Sequence, residues 1–281
     1  MRAAAAQIEV KWLDTEANLA KVLEFTQKIA EVHQADLIVF PELTNSGYVI
    51  GRQRKDFAEF SKKFLKTAEK IPGRYTDLLG KLAAKYGIYI VIGLLELHPV
   101  IPATLYNSAV LIGPSGQIVG VTHKAHIIGE ERYYFYPGNT VDVFCTEIGN
   151  IGILICADSN FPELPRVLAL KGAEIVCVTY NRIKGTADGD EEAFYRFVSC
   201  RAFENNNFYV TCNRVGVEGE VLFEGRSCIC GPNGHFLARS EGEKEEVVVG
   251  ELHREVFERV RMRYGRFRDR RPDLYGPICQ R

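Results

Sequence analysis

Short runs that are apolar on both faces are the feature that most restricts the fold of this chain. Residues 37–40 and 151–155 are two such runs, and helical patterns stand between them and other strand-like segments. A strand with two apolar faces has to be covered on both sides. Alternating strands and helices are typical of layered α/β proteins. The number of strand patterns favours two mixed sheets rather than one.

Predicted elements follow one another without a linker or an internal repeat. Asp14 or Thr15 can cap the first helix. Helical patterns cover residues 15–29, 56–69, 75–86, 161–170 and 191–204, and begin again near Arg254. Strand patterns cover residues 3–10, 37–40, 88–95, 107–112, 117–123, 141–146, 150–155, 174–179, 208–212, 225–230, 236–238 and 246–251. Tight turns, such as residues 113–116, predict antiparallel pairs among them.

Composition restricts the class of protein and its partners. The 281 residues are 46% hydrophobic and 25% charged, which is typical of a globular protein with a well-buried core. A net charge of -1 favours neither nucleic acid nor a membrane surface as a partner. No apolar run is long enough to span a bilayer, and residues 1–7 lack a signal-peptide pattern. The eight cysteines contain no C-x-x-C pair, so a reducing cytoplasm is the expected location and no metal site is predicted.

Cys156 stands where an apolar strand pattern ends and a helix is about to begin. The first free N–H groups of a helix favour a thiolate and can hold an oxyanion. A cysteine is also often a small buried hydrophobic residue. From this segment alone, a nucleophile and a core residue are equally good interpretations.

Glu42 and Lys124 also come directly after apolar strand patterns. Functional groups of open α/β sheets collect at such strand ends. A buried carboxylate and a buried ammonium each need a partner, and these two could neutralise one another beside the thiol. The alternative is that they lie on unrelated loops and pair with other groups.

Several separated segments resemble the signature of the nitrilase superfamily, the carbon–nitrogen hydrolases. They are Phe40-Pro41-Glu42, the lysine segment at residues 122–127, and Ile155-Cys156-Ala157-Asp158 followed by Phe161-Pro162-Glu163. Matches at residues 105–109, 201–205, 213–216 and 270–275 extend the resemblance over most of the chain. The order Glu, Lys, Cys is also that of the family.

The resemblance implies a four-layer αββα sandwich with two mixed sheets. We assign the carbon–nitrogen hydrolase domain to residues 1–263. Residues 264–281 are rich in arginine and contain proline, so they are poorly suited to form a core of their own. We expect this C-terminal arm to pack on a partner subunit of a homodimer or higher homo-oligomer. The resemblance also implies a second acid, for which the spacing to Phe135 and Gly138 favours Glu131 over Glu130.

The mechanism that the resemblance implies needs neither a metal nor an organic cofactor. Glu42 would be the general base and acid, and Cys156 the nucleophile that forms a thioester. Lys124 and the backbone N–H of Ala157 would stabilise the oxyanion. Glu131 would orient Lys124 and the substrate. The pocket segments of the family fall at Tyr48, Asn181 and Arg182, although each can also be an ordinary loop residue.

The substrate is predicted to be a small molecule, most simply a small to medium carboxamide. Ala157-Asp158 resembles the amidase and carbamoylase branches, whereas nitrile hydrolases tend to have Trp-Glu there. An N-carbamoyl amine is the second alternative and a nitrile the third. A His123 or His126 base for Cys156 is a weaker alternative, and so is a non-catalytic scaffold. A lowered pKa of Cys156 would make that thiol the first to react with iodoacetamide.

Overall fold

The computed structural model describes residues 1–48, 57–185, 190 and 192–280. The strands of these residues, in chain order, are β1 (Arg2–Gln7), β2 (Leu37–Val39), β3 (Tyr89–Leu97), β4 (Leu105–Ile112), β5 (Ile118–His123), β6 (Val143–Thr146), β7 (Gly149–Ile155), β8 (Ile175–Tyr180), β9 (Phe208–Asn213), β10 (Val215–Glu218), β11 (Val221–Glu224), β12 (Cys228–Cys230), β13 (Phe236–Arg239) and β14 (Glu246–Glu251). The α-helices are α1 (Thr15–Lys28), α2 (Phe57–Thr67), α3 (Arg74–Tyr86), α4 (Glu163–Leu170), α5 (Ala193–Asn205) and α6 (Arg254–Arg263). Residue 56 and Glu191 of the predicted helices, and Arg281 of the predicted arm, lie outside the described residues.

Two six-stranded mixed sheets form the centre of the protein. The first has the order β14-β1-β2-β3-β4-β5, and the second has the order β13-β12-β9-β8-β7-β6. In the first sheet β1, β2 and β3 are parallel, and the remaining pairs are antiparallel. In the second sheet β7, β8 and β9 are parallel, and the remaining pairs are again antiparallel. Each sheet thus contains one three-stranded parallel centre.

The apolar residues divide into layers that follow from this pairing. Val39 of the first sheet and Ile153 and Val210 of the second belong to one buried cluster between the sheets. On the outer face of the first sheet, a second cluster includes residues of α1 and α3, and on the outer face of the second sheet a third cluster includes residues of α4 and α5. The fold is therefore an αββα sandwich, and the predicted fold class is confirmed.

Local sequence explains where α1 begins and which face it buries. The Asp14 carboxylate accepts the N–H of Ala17 at 3.1 Å, which satisfies one of the free donors at the helix start. Leu19 and Val22 are buried at helical spacing on one face. The helix therefore lies flat on the outer surface of the first sheet.

The structure differs from the sequence prediction at several places, of which the following are the most informative. The predicted strand at residues 225–230 begins only at Cys228, because Gly225 and Arg226 have positive φ values of 68° and 65°. The hairpin of β10 and β11 was not predicted. The helix expected directly after the cysteine is preceded by a short 3₁₀ helix, Cys156–Asn160. No α-helix within the described ranges is long and apolar enough to cross a membrane.

Candidate active site

Three strand ends meet at one edge of the sandwich. Glu42 follows β2 and Lys124 follows β5 in the first sheet, whereas Cys156 follows β7 in the second. The backbone N–H of Glu42 donates to the carbonyl of Tyr180 at 3.4 Å, which joins the loop after β2 to the end of β8. The packing of the two sheets therefore brings together residues that are far apart in the sequence.

Lys124 is the centre of a buried ion-pair cluster. Its Nζ lies 2.9 Å from Glu42 Oε1 and 2.7 Å from Glu131 Oε1. The side chains of Lys124 and Glu42 are 0% exposed, and that of Glu131 is 2% exposed. An unpaired ammonium at this depth would be very costly. The two carboxylates compensate that cost and hold the ammonium in one position.

Glu42 uses only one of its two carboxylate oxygens. Oε1 accepts Lys124 Nζ and also Asn107 Nδ2, the latter at 2.7 Å. Oε2 is buried and has no hydrogen-bond partner. Burial raises the pKa of Glu42 above its usual value, and the charge of Lys124 only partly opposes that effect. A carboxylate that has a free oxygen and a raised pKa is suited to accept a proton.

Two acidic neighbours keep Lys124 charged. Burial alone would lower the pKa of Lys124, but the charges of Glu42, Cys156 and Glu131 together raise it well above its usual value. Glu131 Oε1 also accepts a hydrogen bond from the Tyr48 hydroxyl at 2.8 Å. Glu131 lies in a 3₁₀ helix, Gly129–Tyr133, and its neighbour Glu130 is partly exposed. Glu131, rather than Glu130, is the acid that reaches Lys124.

Cys156 lies in a left-handed backbone conformation with φ +46°. Such a φ is uncommon for a residue with a side chain, and outliers of this kind cluster at functional sites. Burial, followed by the charge of Glu42, raises the pKa of the Cys156 thiol, although Lys124 opposes both. The expectation of a lowered pKa is therefore wrong for the free protein, because the helix N–H groups do not outweigh the apolar surroundings and the nearby carboxylate. The thiol needs a base.

A cavity of about 410 Å³ opens at the thiol. Tyr48, Asn181 and Arg182 line it, as the sequence predicted for a pocket, and so does Ala157. Further lining residues are mainly apolar: Ile128, Ile183, Ala193, Phe194 and Phe197. The Cys156 thiol therefore faces a pocket with a largely apolar wall, and the ion-pair cluster of Lys124 is buried beneath that surface.

The three predicted pocket residues have different partners. Asn181 Nδ2 donates to the backbone carbonyl of Glu42 at 2.9 Å, so this side chain supports the base. Tyr48 contacts Glu131, as described above. The Arg182 guanidinium is paired with Glu224 and lies over the ring of Phe194. Arg182 is therefore in the pocket wall, but its charge is already compensated.

The two histidines that flank Lys124 have other partners. His123 Nε2 lies 2.8 Å from Glu96 Oε2. His126 Nδ1 lies 3.0 Å from Asp158 Oδ1, and its ring stacks on Phe161. These contacts give each imidazole a role that does not involve the thiol, which weakens the Cys-His alternative.

Within the described residues, no three His, Cys, Asp or Glu side chains are grouped as a metal ion would require. The Cys156 thiol lines the cavity, and the charges of Glu42 and Lys124, which pair with one another, act on it. This arrangement can perform nucleophilic and acid–base chemistry with its own side chains.

Sequence reasoning missed two polar residues of the site. Asn107 belongs to one of the segments that resemble the family, but its contact with Glu42 depends on the pairing of β3 with both β2 and β4. From the sequence, Asp158 indicates only a resemblance to the amidase and carbamoylase branches and no contact within the site. It is 2% exposed and accepts the N–H of His126 at 2.8 Å.

Comparisons with known proteins agree with the fold and identify the family. A family model described as carbon-nitrogen hydrolase matches residues 2–262. The chain is 33% identical to a probable nitrilase of Schizosaccharomyces pombe, over 97% of this chain and 96% of that protein. It is 31% identical to an N-carbamoylputrescine amidase of Arabidopsis thaliana, over 93% and 90%. The crystal structure of an amidase from Nesterenkonia sp. superposes with a TM-score of 0.78 at 26% identity, covering 99% of this chain and 96% of that one.

The chain therefore belongs to the carbon–nitrogen hydrolase family, in the nitrilase superfamily. It is a hydrolase that acts on carbon–nitrogen bonds other than peptide bonds, of the amidase or carbamoylase type.

Proposed function

We propose that this enzyme hydrolyses a small to medium carboxamide to a carboxylate and ammonia. The observation that carries the proposal is the free, buried Oε2 of Glu42, which belongs to the same cluster as Lys124 and the Cys156 thiol. A base, a cation and a nucleophile at the base of one cavity are the groups that acyl transfer requires.

The first half of the reaction forms an acyl-enzyme. Glu42 accepts the proton of the Cys156 thiol as the sulfur attacks the amide carbon. The carbonyl oxygen becomes an oxyanion, which Lys124 and the backbone N–H of Ala157 stabilise. When the tetrahedral intermediate collapses, Glu42 returns the proton to the departing nitrogen. Ammonia leaves and a thioester to Cys156 remains.

The second half consumes water at the same groups. Glu42 removes a proton from a water molecule as its oxygen attacks the thioester carbon. The carbon–sulfur bond breaks, the thiol regains its proton and the carboxylate product leaves. Glu131 keeps Lys124 charged in both halves and holds the leaving amine, and Tyr48 orients Glu131 through its 2.8 Å hydrogen bond.

The pocket wall supports a carboxamide with an apolar acyl group. Phe194, Phe197 and Ile183 provide apolar surface, and Arg182 is already paired with Glu224. An N-carbamoyl amine is the second candidate, because the relative from Arabidopsis thaliana is named an N-carbamoylputrescine amidase. A nitrile is third, since Ala157-Asp158 stands where nitrile hydrolases tend to have Trp-Glu.

An ammonia-release panel tests the proposal. Purified enzyme is incubated with aliphatic and aryl carboxamides, N-carbamoyl amines and nitriles, and each rate is measured for wild type and Cys156→Ala. Cys177→Ala is the matched control, because Cys177 is a buried cysteine on the neighbouring strand β8. We expect turnover of carboxamides that Cys156→Ala abolishes and Cys177→Ala retains. Turnover that persists in Cys156→Ala would contradict the mechanism. Turnover of no compound of the panel by the wild-type enzyme would overturn the proposed function and favour a scaffold.

We also propose that residues 264–281 form an arm that packs on a second copy of the chain. The family match ends at residue 262, and most described residues of the arm are exposed. Arg266 lies over the ring of Phe203, which attaches the start of the arm to α5. Light scattering should show a dimer for the full chain. A variant that ends at residue 263 should dissociate to monomers at a higher protein concentration than the full chain does. A full-length monomer at micromolar concentration would contradict the proposal.

A further inference from the structure

Asp158 connects the exits of two strands that belong to different sheets. Its carboxylate accepts the N–H of Ala125 at 3.2 Å and the N–H of His126 at 2.8 Å, immediately after Lys124. Its other oxygen accepts the N–H of Ile155 at 3.4 Å, immediately before Cys156. One buried side chain thus contacts the residues next to both the cation and the nucleophile.

Further hydrogen bonds of the Lys124 and Cys156 backbones lie within their own halves of the sandwich. Lys124 N donates to Asn107 O, and Gly138 N donates to Lys124 O, both at 2.8 Å and both from segments attached to the first sheet. On the other side, the Ser159 hydroxyl donates to the carbonyl of Cys156 at 2.7 Å. These bonds fix each exit, but they do not fix the separation between the two exits.

The Glu42 loop has its own connection to the second sheet. Its backbone N–H reaches Tyr180, and its carbonyl accepts Asn181 Nδ2. Loss of the Asp158 contacts would therefore leave the base near the thiol, whereas the backbone that carries Lys124 would lose its direct hydrogen bonds to the second sheet. Because the base and the cation are attached to the second sheet by different contacts, an effect of Asp158 on catalysis can be distinguished from a general loosening of the site.

We propose that Asp158 is a positioning residue that sets the distance between the Lys124 ammonium and the Cys156 thiol by joining the two sheets at their strand exits. The inference rests on the proposed function for its effect on turnover. Its effect on the thiol does not require any substrate, because Lys124 is the positive charge that favours the thiolate.

The imidazole of His126 has a lesser part in this arrangement. Its Nδ1 contacts the same carboxylate oxygen as its own backbone N–H, and its ring packs on Phe161. Replacement of the imidazole leaves the backbone donors of residues 125 and 126 in place. His126→Ala should therefore change the rates much less than any replacement of Asp158.

The test compares Asp158→Asn with Asp36→Asn. Asp36 also uses its carboxylate to accept a backbone N–H from a neighbouring segment, that of Arg2 at 2.7 Å, but it lies before β2, remote from Glu42. Turnover is expressed per Cys156 thiol titrated, well below the melting temperature of each variant. Iodoacetamide alkylation of Cys156 is followed against pH by peptide mass spectrometry.

For Asp158→Asn we expect kcat per titrated site to fall about 10²-fold, because a displacement near 1 Å at a reacting centre has that effect. KM should change far less, since the pocket walls remain. Alkylation near neutral pH should slow about tenfold for each unit by which the thiol pKa rises. Asp36→Asn should match wild type in both measurements even if its melting temperature falls.

A kcat per titrated site within about twofold of wild type, or an unchanged pH profile of alkylation, would overturn the positioning role. If Asp158→Asn does not fold, Asp158→Ser is judged by the same two criteria. If the wild-type enzyme turns over no compound of the panel, the proposed function fails, and the alkylation profile alone still decides whether Asp158 positions Lys124.

Discussion

The two sheets have the same pattern of strand pairing but end in different chemistry. In each, a parallel three-stranded centre is followed by antiparallel edges. The first sheet leads into Glu42 and Lys124, both fully buried and paired with one another. The second leads into Cys156, which is partly exposed to the cavity at a positive φ.

This difference shows how the sandwich separates two requirements. Charges that assist a reaction are strongest where water is excluded, so the exits of the first sheet are closed over them. The proposed nucleophile has to meet its substrate, and the exit of the second sheet turns abruptly and presents the Cys156 thiol to the cavity. Two sheets with the same strand pairing therefore differ in the solvent exposure of the residues at their strand ends. The few residues that follow each strand set this exposure.

The largest expected effect comes from the buried cation of the first sheet. Lys124→Met leaves Glu42 and Glu131 without their shared partner, which should destabilise the fold by about 3–5 kcal/mol. Loss of oxyanion stabilisation should reduce kcat by at least about 10³-fold. Urea unfolding and ammonia release measure the two effects.

Lys63→Met is the matched control for that variant, because Lys63 pairs with Glu59 at the surface of α2. Exposed pairs of this kind contribute about 0.3–0.5 kcal/mol. If Lys124→Met destabilised the protein no more than Lys63→Met, the ammonium would not hold the first-sheet exits together.

Glu42→Gln should distinguish the role of the first-sheet base from that of the second-sheet thiol, because it should slow turnover and accelerate alkylation of Cys156. Turnover should fall about 10²- to 10³-fold, because the amide cannot accept the thiol proton. Alkylation of Cys156 should become faster near neutral pH, because the charge of Glu42 is one of the causes that raise the pKa of the thiol. Peptide mapping after iodoacetamide treatment, with exposed Cys145 and Cys200 as internal references, gives the second rate. Slower alkylation in this variant would contradict the electrostatic account.

The pH dependence of the wild-type enzyme should report the raised pKa of Glu42. The reaction needs the carboxylate, so kcat/KM should fall about tenfold per unit as pH drops below that pKa. The midpoint should lie above the usual value of 4.5.

The loss of activity at low pH should not come from unfolding caused by protonation of Glu42. A carboxyl whose pKa is higher in the folded state stabilises the fold most below its unfolded pKa, and that stability is lost as pH rises through the folded pKa. Circular dichroism at each pH checks that the protein stays folded. A midpoint at or below 4.5 would show that Glu42 is not the base, or that its pKa is not raised.

The smallest expected effects come from replacing one buried glycine in each sheet, which is also the most closely matched comparison between the two sheets. A Cβ at Gly93 in β3 would lie 2.5 Å from Glu42 Cα and from the carbonyl oxygen of Pro41. At Gly152 in β7, the nearest atoms are the methyl groups of Leu168, at 2.9 and 3.0 Å. Gly93→Ala should therefore destabilise the fold by about 2–3 kcal/mol and displace the base, whereas Gly152→Ala should cost about 1 kcal/mol.

Thermal unfolding and kcat per titrated thiol measure these two variants. Backbone atoms cannot move aside as a leucine side chain can, so only Gly93→Ala should reduce kcat. Equal effects of the two replacements would mean that the Glu42 loop is less tightly seated on the first sheet than the structure indicates.

Strand ends were the part of the site that sequence could locate. Glu42, Lys124 and Cys156 each follow an apolar run, so the pattern places them at sheet edges even before any resemblance is considered. The choice of Glu131 needed the resemblance, because nothing in its own segment indicates which partner it reaches. Covered α/β layers were predictable because strands such as residues 151–155 are apolar on both faces, whereas the αββα order of the layers came from the resemblance.

Contacts between distant segments were not predictable from sequence. Arg182 pairs with Glu224, and Asp158 reaches the backbone after Lys124, because of how the two sheets pack. The hairpin of β10 and β11 has only four residues in each strand, too few for a clear alternating pattern. The pKa of Cys156 depends on burial and on Glu42 together, and neither is visible from a strand-to-helix junction.

The cavity wall has a practical consequence for changing what the enzyme accepts. Phe194 and Phe197 lie on α5 and line the pocket, whereas Glu42, Lys124 and Cys156 follow strands. A library at positions 194 and 197 can therefore vary the volume offered to the acyl group while the reacting atoms keep their places. Directed evolution of this enzyme should find new substrate ranges first on that helix.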